Sequence, residues 1–375
     1  MILSNFRYTD TDKISNDNII IGNNEIISIG NFILNKDDQV FDCKNYYLIP
    51  GFVDLQTYGA GGIIFESDLT VEALANIGLQ HLHHGTTSFL ITIPTTSLEN
   101  IFKAIEVVRD AMTRNVTGLI GLHLEGPFIN PDKKGAHNSK HLLEPSKEII
   151  EKIIKKGAGI IKMMTIAPEL FSADLLDQLL ASEILISAGH SNANYADSKL
   201  FFDQGITCST HLFNAMSQLE SRAAGLTGAV LLNEKVWSTI VVDGKHVCYE
   251  TLNIAFKLKQ QKLILISDST FLDVQDAIVS IGGIDVYKNG NEFYTIDGRL
   301  AGSSISLLDA IRNTCKHLNT SLSNAIEMAT GRPARLIQAT FGRICIGAKA
   351  NMILIDEEVN LKGVIYEGEW IMPIV

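Results

Sequence analysis

Gly121-Leu122-His123-Leu124-Glu125-Gly126-Pro127-Phe128 is the stretch whose reading decides the fold. The apolar run 118–124 has the length and composition of a buried strand. It stops at a carboxylate and then a Gly-Pro turn. The same pattern, an apolar run finishing in a polar residue at a turn, recurs at Asp54, His190, His211, His246 and Asp268. A closed parallel barrel places such strand ends on one rim, where their side chains converge on a metal or a substrate.

Outward from that stretch, strands alternate with helices. A first strand is expected at Leu48-Ile49-Pro50-Gly51-Phe52-Val53-Asp54, followed by strands over 86–93, 118–124, 159–166, 184–188, 207–210, 237–242 and 263–267. Helical spacing is read over 71–84, 98–112, 146–156, 173–181, 193–203, 304–318 and 321–330. Eight such units predict an α/β protein built as a (β/α)8 TIM-like barrel over residues 50–339. Short β-branched runs flank it, at 18–22 and 25–30, over 40–48, and at 350–356 and 361–370. Residues 1–49 and 340–375 are therefore expected to form one small β-sandwich domain from both chain ends. Gly282-Gly283, Lys288-Asn289-Gly290-Asn291 and Asp297-Gly298 punctuate the segment after the last strand, predicting a β-hairpin insertion near 271–299.

Composition excludes several functions. Apolar residues make up 46% and charged residues 19%, enough for a large core and against disorder. A formal net charge of −11 argues against nucleic-acid or anionic-membrane binding, but leaves open a small anionic substrate, which needs only a local cation. The five cysteines, at 43, 208, 248, 315 and 345, contain no Cys-x-x-Cys pair and read as the reduced thiols of a cytoplasmic protein. Arg7, Asp10, Asp12, Lys13 and Asp17 interrupt the N-terminus, unlike a signal peptide, and no run reaches the ~18 apolar residues of a membrane helix.

Glu125, His190 and His211 are the expected ligand set: two imidazoles and a carboxylate suit a divalent metal with a position left open for water. Taken singly, each histidine reads better as a buried ring bonded to backbone. All three at strand ends favour a metal. Asp268 is expected to take a proton from the water and deliver it to a leaving nitrogen; the competing reading is a helix N-cap. His246 is placed to hydrogen-bond a substrate carbonyl. His81, His83 and His84 end a helix, point in different directions and read as solvated. His123 shares a strand face with Glu125 and reads as its support or as core. The segments around His137 and Asn214 should lie over the site. Arg222 is read either as an anion clamp or as a solvated surface residue.

Pro50-Gly51-Phe52-Val53-Asp54, the 121–128 stretch, Ser187-Ala188-Gly189-His190-Ser191-Asn192-Ala193, Thr210-His211-Leu212-Phe213-Asn214-Ala215-Met216 and Leu300-Ala301-Gly302-Ser303 occur in this order. Together, over about 48–361, they resemble the N-acetylglucosamine-6-phosphate deacetylases of the amidohydrolase superfamily. The resemblance implies hydrolysis of the N-acetyl group of N-acetylglucosamine 6-phosphate to glucosamine 6-phosphate and acetate. It implies metal ligands at Glu125, His190 and His211, the general base and acid at Asp268, and a substrate contact at His246. Substrate-binding positions fall on Ala136, His137, Asn214, Ala215, Arg222, Leu300, Ala301 and Gly302. A homodimer is implied, with Arg222 reaching the phosphate in the neighbouring active site.

There is one departure. Many amidohydrolases carry His-x-His after strand one, where this chain reads Asp54-Leu55-Gln56-Thr57-Tyr58-Gly59. A neutral amide is a poor zinc ligand, so one divalent ion is expected, with Gln56 near it or its water. Zinc is the first expectation; iron, cobalt or manganese suit the same ligands. Three alternatives stand beside this reading. One is an N-acetylgalactosamine-6-phosphate deacetylase. Another is a different amidohydrolase, which would usually need His-x-His and often a bridging lysine. The third is a non-catalytic barrel, against which the joint presence of Glu125, His190, His211 and Asp268 argues.

Overall fold

The computed structural model describes residues 1–9, 15–34, 38–281, 283–290 and 292–371. Asp10, Asp12, Lys13, Gly282, Asn291 and residues 372–375, all read above, lie outside the described residues. Eight parallel strands form one sheet with neighbours in chain order. They are β1 (Phe52–Thr57), β2 (Thr86–Ile93), β3 (Leu119–Glu125), β4 (Ile161–Ile166), β5 (Leu185–Ala188), β6 (Cys208–Ser209), β7 (Trp237–Ile240) and β8 (Leu263–Leu265). The last strands are shorter than the apolar runs that encode them, because the chain leaves its extended path at the rim. The seam closes there instead: the Asp268 N–H donates to Gln56 O (3.0 Å) and the Tyr58 N–H to Ser269 O (2.8 Å).

Alternation along each strand sorts side chains to two sides. Phe89, Ile91 and Ile93 of β2 pack outward under the helices, while Leu90 points into the barrel with Val53, Leu55 and Met163. The expected helices begin at polar caps: the side chains of Thr70, Ser97, Ser146 and Asn194 each accept a backbone N–H of their first turn. Two further helices, Gly225–Leu232 and Tyr249–Lys259, complete the alternation. The first is buried from Gly225 to Leu231, so it has no polar stripe by which periodicity could betray it.

The chain ends form two four-stranded sheets. One is N-terminal throughout; the other joins Met352–Ile355, Leu361–Tyr366 and Glu369–Ile371 to Tyr47–Pro50. Period-two alternation lets this second sheet serve two cores. Tyr47, Ile49, Ile353 and Ile355 pack with the barrel, while Leu48, Met352 and Leu354 pack with Leu3, Ile19 and Ile26 of the N-terminal sheet. The expected single strand over 40–48 is broken into Val40–Asp42 and Tyr47–Pro50, with Lys44 and Asn45 at positive φ in the turn between. The insertion after β8 is a three-stranded antiparallel meander, Ile278–Ile281, Ile284–Asn289 and Glu292–Thr295, rather than one hairpin. Phe293 of the meander stacks on Phe271 with ring centroids 3.9 Å apart, which anchors it beside the barrel mouth. Among the described residues, no helix is long and apolar enough to cross a membrane.

Candidate metal centre

β3 delivers Glu125 to the inside of the rim. Register shifts at Leu119/Gly121 against β2 and at Leu122/His123 against β4 mark irregularities along this strand. His190 and His211 lie just past the ends of β5 and β6. Both have left-handed backbones, φ 49° and 32°, as does Asp268 at 51°. Non-glycine residues in that region carry about 1–3 kcal/mol of strain each, and such strain clusters at functional sites. Gly189 is obligatory before His190, since a Cβ there would sit 2.8 Å from Thr165 Cγ2 and 2.9 Å from Thr210 Cβ.

The three side chains meet. Glu125 Oε1 lies 3.1 Å from His211 Nε2 and 3.3 Å from His190 Nε2, and the two nitrogens are 3.1 Å apart. A tetrahedral ion with ligands at about 2.0–2.1 Å requires edges of roughly 3.3–3.4 Å. The triangle is thus the size one small cation needs. The protonation pattern agrees: His190 Nδ1 lies 2.9 Å from the Lys133 carbonyl, which can only accept, so the neutral ring leaves its Nε2 lone pair free. Three buried polar atoms near this point, His211 Nδ1, Gln56 Oε1 and Asp268 Oδ1, have no hydrogen-bond partner among the described residues. Burial pushes His190 down to about 4 against the pull of Glu125. For His211, burial acts the same way but the bond to Glu125 wins, and its pKa rises. Burial alone would lift the Glu125 carboxyl; the facing His190 and His137 outweigh it and hold it well below the usual range.

His137, read above as a substrate contact, also touches this carboxylate, with Nε2 3.0 Å from Glu125 Oε2. Atoms of Glu125, His137 and His190 lie within 4.8 Å of one another, so His137 is geometrically a possible ligand. Its tautomer argues otherwise: Nδ1 accepts the Thr95 N–H at 3.1 Å, which puts the hydrogen on Nε2. Gln56 is buried beside the site and donates from Nε2 to Glu125 Oε1 (3.0 Å) and to Tyr58 Oη (2.8 Å). His123 lies below, bonded to Leu55 O (3.0 Å) and Thr165 Oγ1 (2.8 Å), and is pushed down to about 4 by burial. It is a neutral core ring supporting the strand.

Asp268 is 8% exposed and its carboxyl is raised, chiefly by burial, with His211 opposing. His246 Nδ1 lies 2.5 Å from Asp243 Oδ2 and its Nε2 3.1 Å from Ala301 O. Both acceptors favour hydrogens on the ring. Burial opposes the charge, but the Asp243 bond prevails and the His246 pKa rises. Its Nε2 donor is already engaged by Ala301, so bonding a substrate carbonyl would require exchanging that partner.

A cavity of about 340 Å³ joins these groups. It is lined by Glu125, His190, His211, Asp268 and His246, and also by Ala136, His137, Asn214, Ala215, Leu300, Ala301 and Gly302. Arg222 is exposed, lines no part of it and has no hydrogen bond or ion pair among the described residues. The cluster His81, His83, His84 divides, contrary to the solvated reading. His81 is buried with Nε2 2.9 Å from Thr57 Oγ1 and is pushed down to about 3, while His84 pairs with Asp273 at 2.7 Å. Sequence reasoning missed Tyr58, Thr95, Asp243 and Lys245. Tyr58 had a signal, since it lies two positions after Gln56. Thr95 had none.

An amidohydrolase family model matches residues 47–371. The chain belongs to the amidohydrolase family. It is 33% identical over 371 residues to an N-acetylglucosamine-6-phosphate deacetylase of Haemophilus influenzae, covering 97% of each chain. It is also 33% identical over 326 residues to an N-acetylgalactosamine-6-phosphate deacetylase of a Shewanella strain, covering 86% of this chain and 82% of that one. A crystal structure of N-acetylglucosamine-6-phosphate deacetylase from Pasteurella multocida superimposes with a TM-score of 0.94 at 29% identity, over 99% of both chains. The chain is thus a member of a metal-dependent hydrolase family with a Glu/His cluster able to hold a metal.

Proposed function

We propose that this amidohydrolase removes the N-acetyl group of N-acetylglucosamine 6-phosphate, using one divalent ion held by Glu125, His190 and His211. The triangle of ligand atoms with edges of 3.1–3.3 Å, beside an unpartnered aspartate, carries the reading. A divalent ion held there would supply a Lewis acid for the amide carbonyl and make water a stronger acid at neutral pH. Asp268 lines the cavity with Oδ1 free, so it can accept the proton of the attacking water. The same proton can then go from Asp268 to the sugar nitrogen as the C–N bond breaks. His246, bonded to Asp243 through Nδ1, lines the wall that would face the sugar. Ala136, Ala215 and Gly302 line the pocket around it.

The coverage of 97% by the Haemophilus relative supports the gluco sugar; the Shewanella relative keeps the galacto epimer as the second reading. Zinc is the proposed ion, since the donor set is two nitrogens and one oxygen. We further propose a cytoplasmic homodimer in which Arg222 serves the neighbouring site. Its exposure, its lack of a partner among the described residues and its absence from its own cavity support this. The test is elemental analysis of the purified protein beside acetate release from both phosphorylated sugars. A protein that binds no divalent ion, or releases no acetate from either sugar when loaded, refutes the proposal.

A further inference from the structure

Tyr58 has no role in the reaction described above, yet it makes the shortest contact with the carboxylate at the centre of the site. Its hydroxyl lies 2.5 Å from Glu125 Oε2, at the short end for a bond to a charged oxygen. The side chain is 8% exposed. We propose that Tyr58 is a positioning residue that, with His137, occupies Glu125 Oε2, so that the carboxylate meets the metal through Oε1 alone. This inference rests on the metal reading given above.

The direction of every hydrogen follows from the partners. Gln56 Nε2 donates to both Tyr58 Oη and Glu125 Oε1. Rotating that amide by half a turn would set its oxygen against a carboxylate oxygen, so the donating orientation is the one the site allows. With a lone pair of Oη taken by Gln56, the one phenolic hydrogen is directed at Oε2. His137 adds a second hydrogen to Oε2, because its Nδ1 already accepts the Thr95 N–H. Oε2 therefore carries two donors and Oε1 one, and Oε1 is the oxygen in contact with His190 and His211, at 3.3 and 3.1 Å. Chelation through both oxygens would need the donors on Oε2 to leave. Single-oxygen ligation keeps more of the ion's coordination sphere for water and substrate.

The position of Tyr58 in the chain strengthens the case. Gln56 lies within strand β1 and Tyr58 just past its end, two positions further on, and both side chains reach Glu125. The end of this strand and the residue after it thus contribute two hydrogen-bond donors, and no nitrogen ligand, to this corner of the site.

The test uses cobalt(II)-loaded full-length protein, whose visible absorption weakens and shifts as the number of ligands rises. Tyr58→Phe removes one hydroxyl and keeps the ring. The expected result is a weaker, shifted cobalt band as Oε2 enters the coordination sphere, with metal affinity reduced about tenfold or more, as for other residues that orient a ligand. A variant spectrum superimposable on that of the unaltered protein overturns the inference. Failure of the unaltered protein to take up cobalt overturns the metal reading instead. If the variant does not fold, a crystal structure of the zinc-loaded unaltered protein decides. Oε1 at about 2.0–2.2 Å from zinc with Tyr58 still on Oε2 supports it, and both oxygens at ligand distance overturns it.

Discussion

Asp54 offers a sharp test of the electrostatics inside this barrel. It lies within β1, fully buried, and its Oδ1 accepts the Gln56 N–H at 3.2 Å and the Ser267 N–H at 3.3 Å. It therefore ties the first strand to the segment that follows the last. Oδ2 is buried with no partner among the described residues. Burial, reinforced by Asp268, raises its pKa from 3.8 to about 7. The folded protein then holds this proton over a range where the unfolded chain has released it. Stability from this group is complete below pH 3.8 and declines as pH rises, reaching its floor near pH 7. At roughly 1.4 kcal/mol per pH unit, the whole loss is on the order of 4 kcal/mol. Asp54→Asn keeps an oxygen at the seam and removes the charge. The two extra N–H groups lower its stability by a roughly constant amount, about 1–3 kcal/mol for an unsatisfied donor. Urea unfolding at a series of pH values, in chelator so that no cation perturbs the carboxylate, measures the difference. Between pH 5 and 7 the unaltered protein should lose roughly 2–3 kcal/mol that the variant keeps. Parallel profiles for the two proteins would refute the reasoning, as would the absence, near pH 5.5, of an infrared protonated-carboxyl band that the substitution removes.

Asp268→Asn should leave metal content unchanged and lower turnover by roughly 10²–10⁴-fold, the usual contribution of a general base. A variant that keeps most of its turnover excludes Asp268 from that role. Chelation should lower the thermal midpoint, and returning metal at about 100 times its Kd should restore roughly 2.7 kcal/mol. An unchanged midpoint would deny the site a metal. Arg222→Ala should raise KM for the phosphorylated sugar. Mixed dimers of Arg222→Ala and Asp268→Asn subunits contain one complete site if the arginine acts across the interface, so mixing should restore activity; verified mixed dimers without recovery refute that arrangement.

Much of the barrel was legible because its signals are local. Strand β2 was readable at its observed bounds from an unbroken apolar and β-branched run. The helices after β1 and β2 were readable from amphipathic spacing behind a Thr or Ser cap. Gly225–Leu232 was not, since a helix buried on all sides has no period to detect. The meander was only half legible, because its strands are short and their turns rich in glycine. His81 misled: the helix end that appeared solvated turns its ring inward to Thr57.

The sequence by itself determined which residues end the strands, and therefore that Glu125, His190, His211 and Asp268 stand at one rim of a parallel barrel. That follows from side-chain type and period, which neighbouring residues along the chain decide. Only the tertiary structure decided that atoms as far apart in the chain as Glu125 and His211, 86 residues, approach to 3.1 Å. It alone decided that Tyr58 and His137 fill one carboxylate oxygen and leave the other. Closing the sheet sets the stagger between strands, and a shift of one residue in that stagger would move a ligand by about 3.3 Å, more than the length of a metal–ligand bond.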